Sequence, residues 1–233
     1  VDWDEAVFGV RTARLVPTEP DAAQLRTALA EIRAWDGRVA HLLLESGADE
    51  SARAAADLGF RCVDVRVTLR WAAGPEPASM ATGALLRPAR DADLGALERI
   101  ARASFGDSRY YRDGCYPAER CGDLYARWIR ESCAGAADLV LVAEAAGSAA
   151  GFVTCHARAG GEAGSIGLFG VALEARGAGL ASRLLGGAQE WFRGVPVGAV
   201  IVVTQGRNVA AQRAYQRRGF LTHAVQLWYH LWL

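Results

Sequence analysis

Lysine is missing from this sequence, so its positive charge rests on arginine; 26 basic residues are matched by 26 acidic ones, for a formal net charge of zero. Without a basic excess nothing advertises a phosphate-backbone partner, and nucleic-acid binding is not expected. Long apolar runs are also absent. No stretch approaches the roughly 20 residues that span a bilayer, and Val1 opens into charged sequence rather than a leader, so a cytoplasmic protein with no membrane partner is expected. Cysteines are few and odd in number (Cys62, Cys115, Cys121, Cys133 and Cys155), with no Cys-x-x-Cys pair. This argues against a disulfide scaffold or a zinc site, and no metal is expected. Cys155 beside His156 is not a nucleophile and its base, because neighbours on a strand face opposite sides. Two nucleotide-binding signatures are missing as well: Gly-x-x-x-x-Gly-Lys-Ser/Thr, and Gly-x-Gly-x-x-Gly opening a helix.

What remains is 233 residues, 52% hydrophobic and 22% charged, enough for one large or two small globular domains with a real core. The first 72 residues read as a small α/β unit. It has a strand over Val7–Val16, a helix over Asp21–Ala34 with Leu25, Leu29 and Ile32 on one face, and a buried strand over Val39–Leu44. A second helix over Asp49–Leu58 is stopped by Gly59, and a long alternating strand follows over Phe60–Trp71. Residues 73–83 are rich in Pro, Gly and small side chains and read as a linker. Residues 84–233 form the second domain. Its strands are expected at Ala84–Pro88, Leu139–Ala145, Gly151–Ala157 and Val197–Thr204, with a tail of one or two strands from Phe220. Its helices are expected from Asp91, which serves as cap, to Ser104, over Glu119–Ser132, and over Asn208–Arg218. Phe105–Pro117 reads as a polar loop, and Trp228 and Trp232 as core aromatics. The Gly59–Phe60 ending matches Gly219–Phe220 and hints at a duplicated half.

The most informative stretch is Ile166–Ala181, an apolar strand, a turn and a glycine-rich entry into a helix carrying Leu180, Leu184, Ala188 and Trp191. The first amides of a helix lack internal partners and carry the positive end of its dipole, so Arg176, Gly177, Ala178, Gly179, Leu180 and Ala181 read as a phosphate cradle. Glycines inside the preceding strand, Gly167 and Gly170, mark a bulge or a close ligand approach. Downstream comes the frame Asn208, Ala211, Tyr215, Gly219, Phe220.

Together these two segments resemble the acetyl-CoA-binding core of the Gcn5-related N-acetyltransferases. The resemblance implies a GNAT fold, with a mixed, mostly antiparallel sheet and flanking helices, preceded here by the smaller α/β domain. It also implies acetyl-CoA as cofactor, with its thioester near Leu168, Phe169, Gly170 and Val171, whose backbone donors would serve as an oxyanion hole. Tyr215 would be the general acid, and Asn208, on the same helix face, a pantetheine or water contact. Many relatives place a glutamate on the strand before the cradle, yet Ser165–Val171 holds no carboxylate. His156 is the one histidine near the site in topology, and a structural histidine is the simpler reading.

Three further segments resemble one branch, the dTDP-fucosamine N-acetyltransferases: the opening Trp3–Val10, read as an entry strand, the region Phe105–Ile129, and Thr204–Gln205. The implied partner is a small-molecule amine, a nucleotide-linked amino sugar, with Arg109, Tyr110, Tyr111, Tyr116 and Gln205 as candidate contacts. Aromatic faces stack on a base or pyranose, and guanidinium groups pair with a pyrophosphate. Another amine (secondary-metabolite, antibiotic, peptide or protein) and a non-catalytic CoA-binding module stay open, as does a homodimer.

Overall fold

The computed structural model describes residues 2–72, 85–157 and 163–233. The expected linker at 73–83 therefore lies outside the described residues. The nine strands are β1 (Thr12–Leu15), β2 (Val39–Glu45), β3 (Arg61–Ala72), β4 (Leu85–Pro88), β5 (Leu139–Ala145), β6 (Ser148–His156), β7 (Ala163–Val171), β8 (Ala199–Gln205) and β9 (Leu221–Trp232). They form one sheet in the order β1-β2-β9-β3-β8-β7-β6-β5-β4. Among the described residues only β1–β2 and β7–β8 are parallel. The helices are α1 (Asp2–Phe8), α2 (Ala22–Ala34), α3 (Asp49–Asp57), α4 (Leu94–Ser104), α5 (Arg109–Asp113), α6 (Ala118–Glu131), α7 (Leu180–Arg193) and α8 (Val209–Gln216). No helix among the described residues is long and apolar enough to cross a membrane.

The sheet does not divide into the two expected domains. Strand β3 lies between β9 and β8, and β9 lies between β2 and β3. Each half thus hands its last strand to the other, and Val67 and Leu69 of β3 share one apolar core with Val200, Val202 and Phe220. The hint of duplication has a structural counterpart. β2, α3 and β3 begin at 39, 49 and 61, and β8, α8 and β9 each begin 160 residues later, at 199, 209 and 221. Gly59 and Gly219 close the two corresponding helices with φ of +90° and +81°, a region glycine enters without Cβ strain.

Local chemistry explains most elements. In α2 the apolar i, i+4, i+7 set Leu25, Leu29 and Ile32 is buried, and Asp21 and Gln24 close its start with a reciprocal pair of hydrogen bonds of 2.8 and 2.9 Å. α7 buries Leu180, Leu184, Leu185, Ala188 and Phe192 against the sheet. The entry to α4 departs from expectation. Asp91 forms no cap; Asp93 accepts from the Arg90 amide at 2.8 Å and from Arg87 at 2.7 Å.

Two further expectations are corrected. The opening is a helix, not an entry strand: α1 ends at Gly9 (φ +68°), and only Thr12–Leu15 is extended. Tertiary packing decides this, with Phe8 lying 4.4 Å from the Tyr116 ring and 5.3 Å from that of Tyr110. The polar segment 105–117 is not a solvated loop. It contains α5, and Ser108, Tyr110, Asp113 and Tyr116 are buried. Burial is tolerated because most of these groups find partners. Tyr110 donates to Asp4 at 2.7 Å, the Tyr116 hydroxyl and His41 Nε2 share a bond of 2.9 Å, and Asp113 pairs with His230 and with Trp232 Nε1.

Candidate active site

β7 and β8 begin as paired parallel strands, but their ladder stops at Ile166–Val202 although both continue. Beyond that point they part. On its other side β7 carries one more residue than β6 between the Cys155–Ile166 and Val153–Phe169 pairs, which places the bulge at Gly167–Leu168. Gly167 is required there, because a Cβ would come within 2.6 Å of His156 Nε2 and 2.9 Å of Thr154 Oγ1.

The bulge sorts the backbone donors expected over Leu168–Val171. The Leu168 amide donates to Thr154 Oγ1 at 2.8 Å and the Ala172 amide to the Ala150 carbonyl at 2.8 Å, so both face β6. Strand alternation turns Gly170 the same way and aims the Phe169 and Val171 amides at the opening. Leu168 and Gly170 are thereby removed from the expected set of oxyanion donors.

The opening leads into a cavity of about 750 Å³. Its lining brings Gly167, Leu168, Phe169, Thr204, Asn208 and Tyr215 together with Asp4, Arg14, Asp64, Arg66, Arg109 and Trp228. Tyr215 is buried, its ring 5.8 Å from both Phe169 and Phe220, and burial pushes its hydroxyl pKa upward, so the group is a proton donor and not a phenolate at neutral pH. Asn208 is not two turns along the same helix face. It is the N-cap of α8, where Oδ1 accepts from the Ala211 amide at 3.1 Å, and it still lines the cavity.

The cradle residues Arg176–Ala181 stand outside this cavity, at the start of α7. Gly177 (φ +81°) and Gly179 (φ +78°) hold the left-handed turn, with open space where a Cβ would project, and no side chain caps the helix. Its first amides are therefore available to an anion. The equivalent helix of the first half, α2, is capped by Asp21, which accepts from the Gln24 amide. At the same 160-residue offset Ala48 and Ala55 stand in for Asn208 and Tyr215. Among the described residues the second half thus has an uncapped glycine turn, Asn208 and Tyr215 where the first half has a capped helix entry and two alanines.

The model of the acetyltransferase (GNAT) family matches residues 96–220, more than half of the chain. The chain belongs to the GNAT family. It is an N-acetyltransferase by that membership, and family members use acetyl-CoA as acyl donor. It is 30% identical over 228 residues to a dTDP-fucosamine acetyltransferase of Escherichia coli, covering 97% of this chain and 94% of that one. It is 29% identical over 147 residues to the spore coat polysaccharide biosynthesis protein SpsD of Bacillus subtilis, covering 63% of this chain and 50% of the relative. Among solved structures, a GCN5-related N-acetyltransferase from Sphaerobacter thermophilus superposes with a TM-score of 0.64 at 19% identity, covering 90% of this chain and 66% of that one. One from Kribbella flavida gives 0.62 at 18%, covering 94% and 80%. These two support the fold.

Of the acceptor residues expected from sequence, Arg109, Tyr110 and Gln205 line the cavity; Tyr111 and Tyr116 do not. Tyr116 is committed to His41, and Tyr111 packs beside Gly122 on α6. Trp228 is buried as expected, yet it also lines the cavity, with the guanidiniums of Arg109 and Arg14 over its ring at 4.3 and 5.3 Å. His156 lines the cavity too, its Nδ1 3.1 Å from the Ala136 carbonyl. Sequence reasoning missed Asp4, Arg14, Asp64 and Arg66. The available signal was charge inside short apolar strands, at Arg14 in Thr12–Leu15 and at Asp64 and Arg66 in Val63–Val67. Asp64 is buried, accepts from the Val65 amide at 2.9 Å, and lies 3.9 Å from Arg207; burial raises its pKa to about 6.

Proposed function

We propose that the chain transfers an acetyl group from acetyl-CoA to the amine of a nucleotide-linked amino sugar, in one step and within this cavity. The observation that carries the reading is a single cavity joining the β7–β8 opening, with Asn208 and Tyr215, to a polar wall of carboxylates, arginines and tryptophan from α1, β1, β3, α5 and β9. The full-length likeness to a protein named as a dTDP-fucosamine acetyltransferase, and the shorter one to a spore coat polysaccharide biosynthesis protein, support a sugar acceptor.

Acetyl-CoA, when bound, supplies the activated acetyl group as a thioester. The amides opening α7 at Gly177–Ala181, with Arg176 beside them, would hold its phosphates. The Phe169 and Val171 amides face the opening and can donate to a developing oxyanion. Tyr215 gives a proton from its hydroxyl to the departing sulfur. Asp64 takes the proton released by the acceptor amine, directly or through a water.

With Asp64 at about 6, kcat/KM is expected to rise with pH through that value and level above it, because only the carboxylate accepts a proton. Asp64→Asn should abolish this inflection. The same shift has a stability consequence. The folded carboxyl keeps its proton up to about pH 6 whereas the unfolded one loses it near 4, so stability falls as pH rises between the two values. Asp64→Asn should therefore raise Tm by about 2–4 °C at pH 8 and leave it unchanged at pH 4. A thermal-shift and pH-rate series reads both. A pH-rate inflection that persists in the Asn variant removes Asp64 from the proton path.

The acceptor is tested by free-thiol release from acetyl-CoA over a panel of free amino sugars, nucleotide-linked amino sugars, polyamines and peptides. Turnover confined to peptides or polyamines would contradict the sugar reading.

A further inference from the structure

Three arginines line the cavity that the β7–β8 opening enters: Arg14 from β1, Arg66 from β3 and Arg109 from α5. Arg14 and Arg109 both lie over the Trp228 ring, at 5.3 and 4.3 Å, and Arg109 also covers the Tyr110 ring at 4.2 Å. The Arg66 Nη1 donates to Gln226 at 2.6 Å. Among the described residues none of the three forms an ion pair, and Arg109 Nε is buried without a hydrogen-bond partner. The carboxylates nearby are shared with other groups rather than paired directly with the three. Asp4 accepts from the Tyr110 hydroxyl, which itself accepts from Arg109 at 2.5 Å. Asp64 accepts from the Val65 amide, with Arg207 beside it and the charge of Arg109 acting on it. Glu45 accepts from Gln226 at 2.6 Å, while its charge opposes the lowering of the Arg66 pKa. The arginines act on one another. Burial first, then the charges of Arg14 and Arg109, lowers the pKa of Arg66, and burial, His230 and the same two arginines keep His41 neutral.

Like charges gathered in a partly dry wall with no carboxylate in direct contact cost free energy that a ligand of opposite charge relieves. We infer that Arg14, Arg66 and Arg109 form a clamp for the diphosphate of the acceptor, separate from the cradle at Gly177–Ala181 that would take the phosphates of coenzyme A. A planar guanidinium pairs bidentately with phosphate oxygens, and three of them from three elements match an anion of two or three charges better than a single carboxylate. This gives the first half of the molecule its role. Its helix entry is closed to anions by Asp21, while two of its strands present arginines to the cavity. The inference rests on the proposed acetylation of a nucleotide-linked sugar for the identity of the anion's bearer.

The test is calorimetric titration of thymidine diphosphate, inorganic pyrophosphate and inorganic phosphate into the full chain saturated with coenzyme A, which fills the cofactor's own diphosphate site. Thymidine diphosphate and pyrophosphate are expected to bind at least tenfold more tightly than phosphate. Arg66→Ala and Arg109→Ala should each weaken thymidine diphosphate by tenfold to a hundredfold, and Arg14→Ala, whose exposed side chain carries little folding risk, by about tenfold. Arg66→Lys, which keeps the charge without the fork, should fall between Arg66→Ala and the original. The clamp is overturned if thymidine diphosphate fails to bind beside coenzyme A, if phosphate binds as tightly as the diphosphates, or if Arg14→Ala and folded Arg66→Lys leave the affinity unchanged. Acetylation of a free amino sugar alongside any of these results would sink the clamp and leave the acetyltransferase reading standing; diphosphate binding without turnover of any amino sugar would do the reverse.

Discussion

Replacing Tyr215 with phenylalanine is expected to lower kcat by about 10²–10⁴ and to leave KM for acetyl-CoA within a few-fold, the pattern of an interaction made mainly in the transition state. The size is bounded by chemistry. A thiol near pKa ~8.5 already leaves tolerably, so a phenolic acid adds some decades and not more. The variant should fold, because the ring is what packs between Phe169 and Phe220 and the hydroxyl has no hydrogen-bond partner among the described residues. Burial sharpens the expectation by keeping the hydroxyl protonated well above neutral pH, so the loss should appear at every pH from 6 to 9. Asn208→Ala is expected to act differently. It removes the cap on Ala211 and a polar group from the cavity, so affinity and local stability should change more than kcat. A folded Phe variant that keeps within about threefold of the original kcat, with chemistry limiting the rate, would end the assignment of Tyr215 as acid.

Gly179→Leu is expected to weaken coenzyme A by about a hundredfold. Two costs combine. The residue sits at φ +78°, which a leucine enters only with strain, and its side chain would project where the uncapped α7 amides meet an anion. Two lost charge-assisted hydrogen bonds at roughly 1.5–3 kcal/mol each are enough for that loss. Gly179→Ala separates the causes: it shares the strained φ but covers far less of the amides, and should cost no more than about tenfold. Calorimetry of coenzyme A with the three proteins reads this, and equal affinities would remove the phosphates from this turn.

What could be read from sequence was what is built locally. The candidate cradle lies within one strand, turn and helix, and Tyr215 and Gly219 fall on the helix and turn that follow β8, where local periodicity puts them; the roles proposed for them come from the family resemblance. The polar part of the cavity lining could not be read that way. Asp4 meets Tyr110 across 106 residues, His41 meets Tyr116 across 75, and His230 meets Asp113 across 117, and no local pattern carries such pairings. The polar segment 105–117 consequently looked like a solvated loop, when its polar groups are what the first helix and the last strand pack upon. The sheet illustrates the same divide. Each half has its own strand and helix periodicity and reads as a unit, whereas the exchange of β3 and β9 depends on long-range pairing of two alternating strands that either half could have kept.

The central claim is direct acetyl transfer, inside one cavity, to a nucleotide-linked amino sugar. It is tested most directly by initial velocities of thiol release with acetyl-CoA and a thymidine-diphosphate amino sugar varied together, and by mass analysis of product and protein in the same mixtures. The account predicts intersecting double-reciprocal lines, an acetylated sugar nucleotide, and protein of unchanged mass. Parallel lines with an acetylated protein, or no acetylated sugar at any concentration, would contradict it.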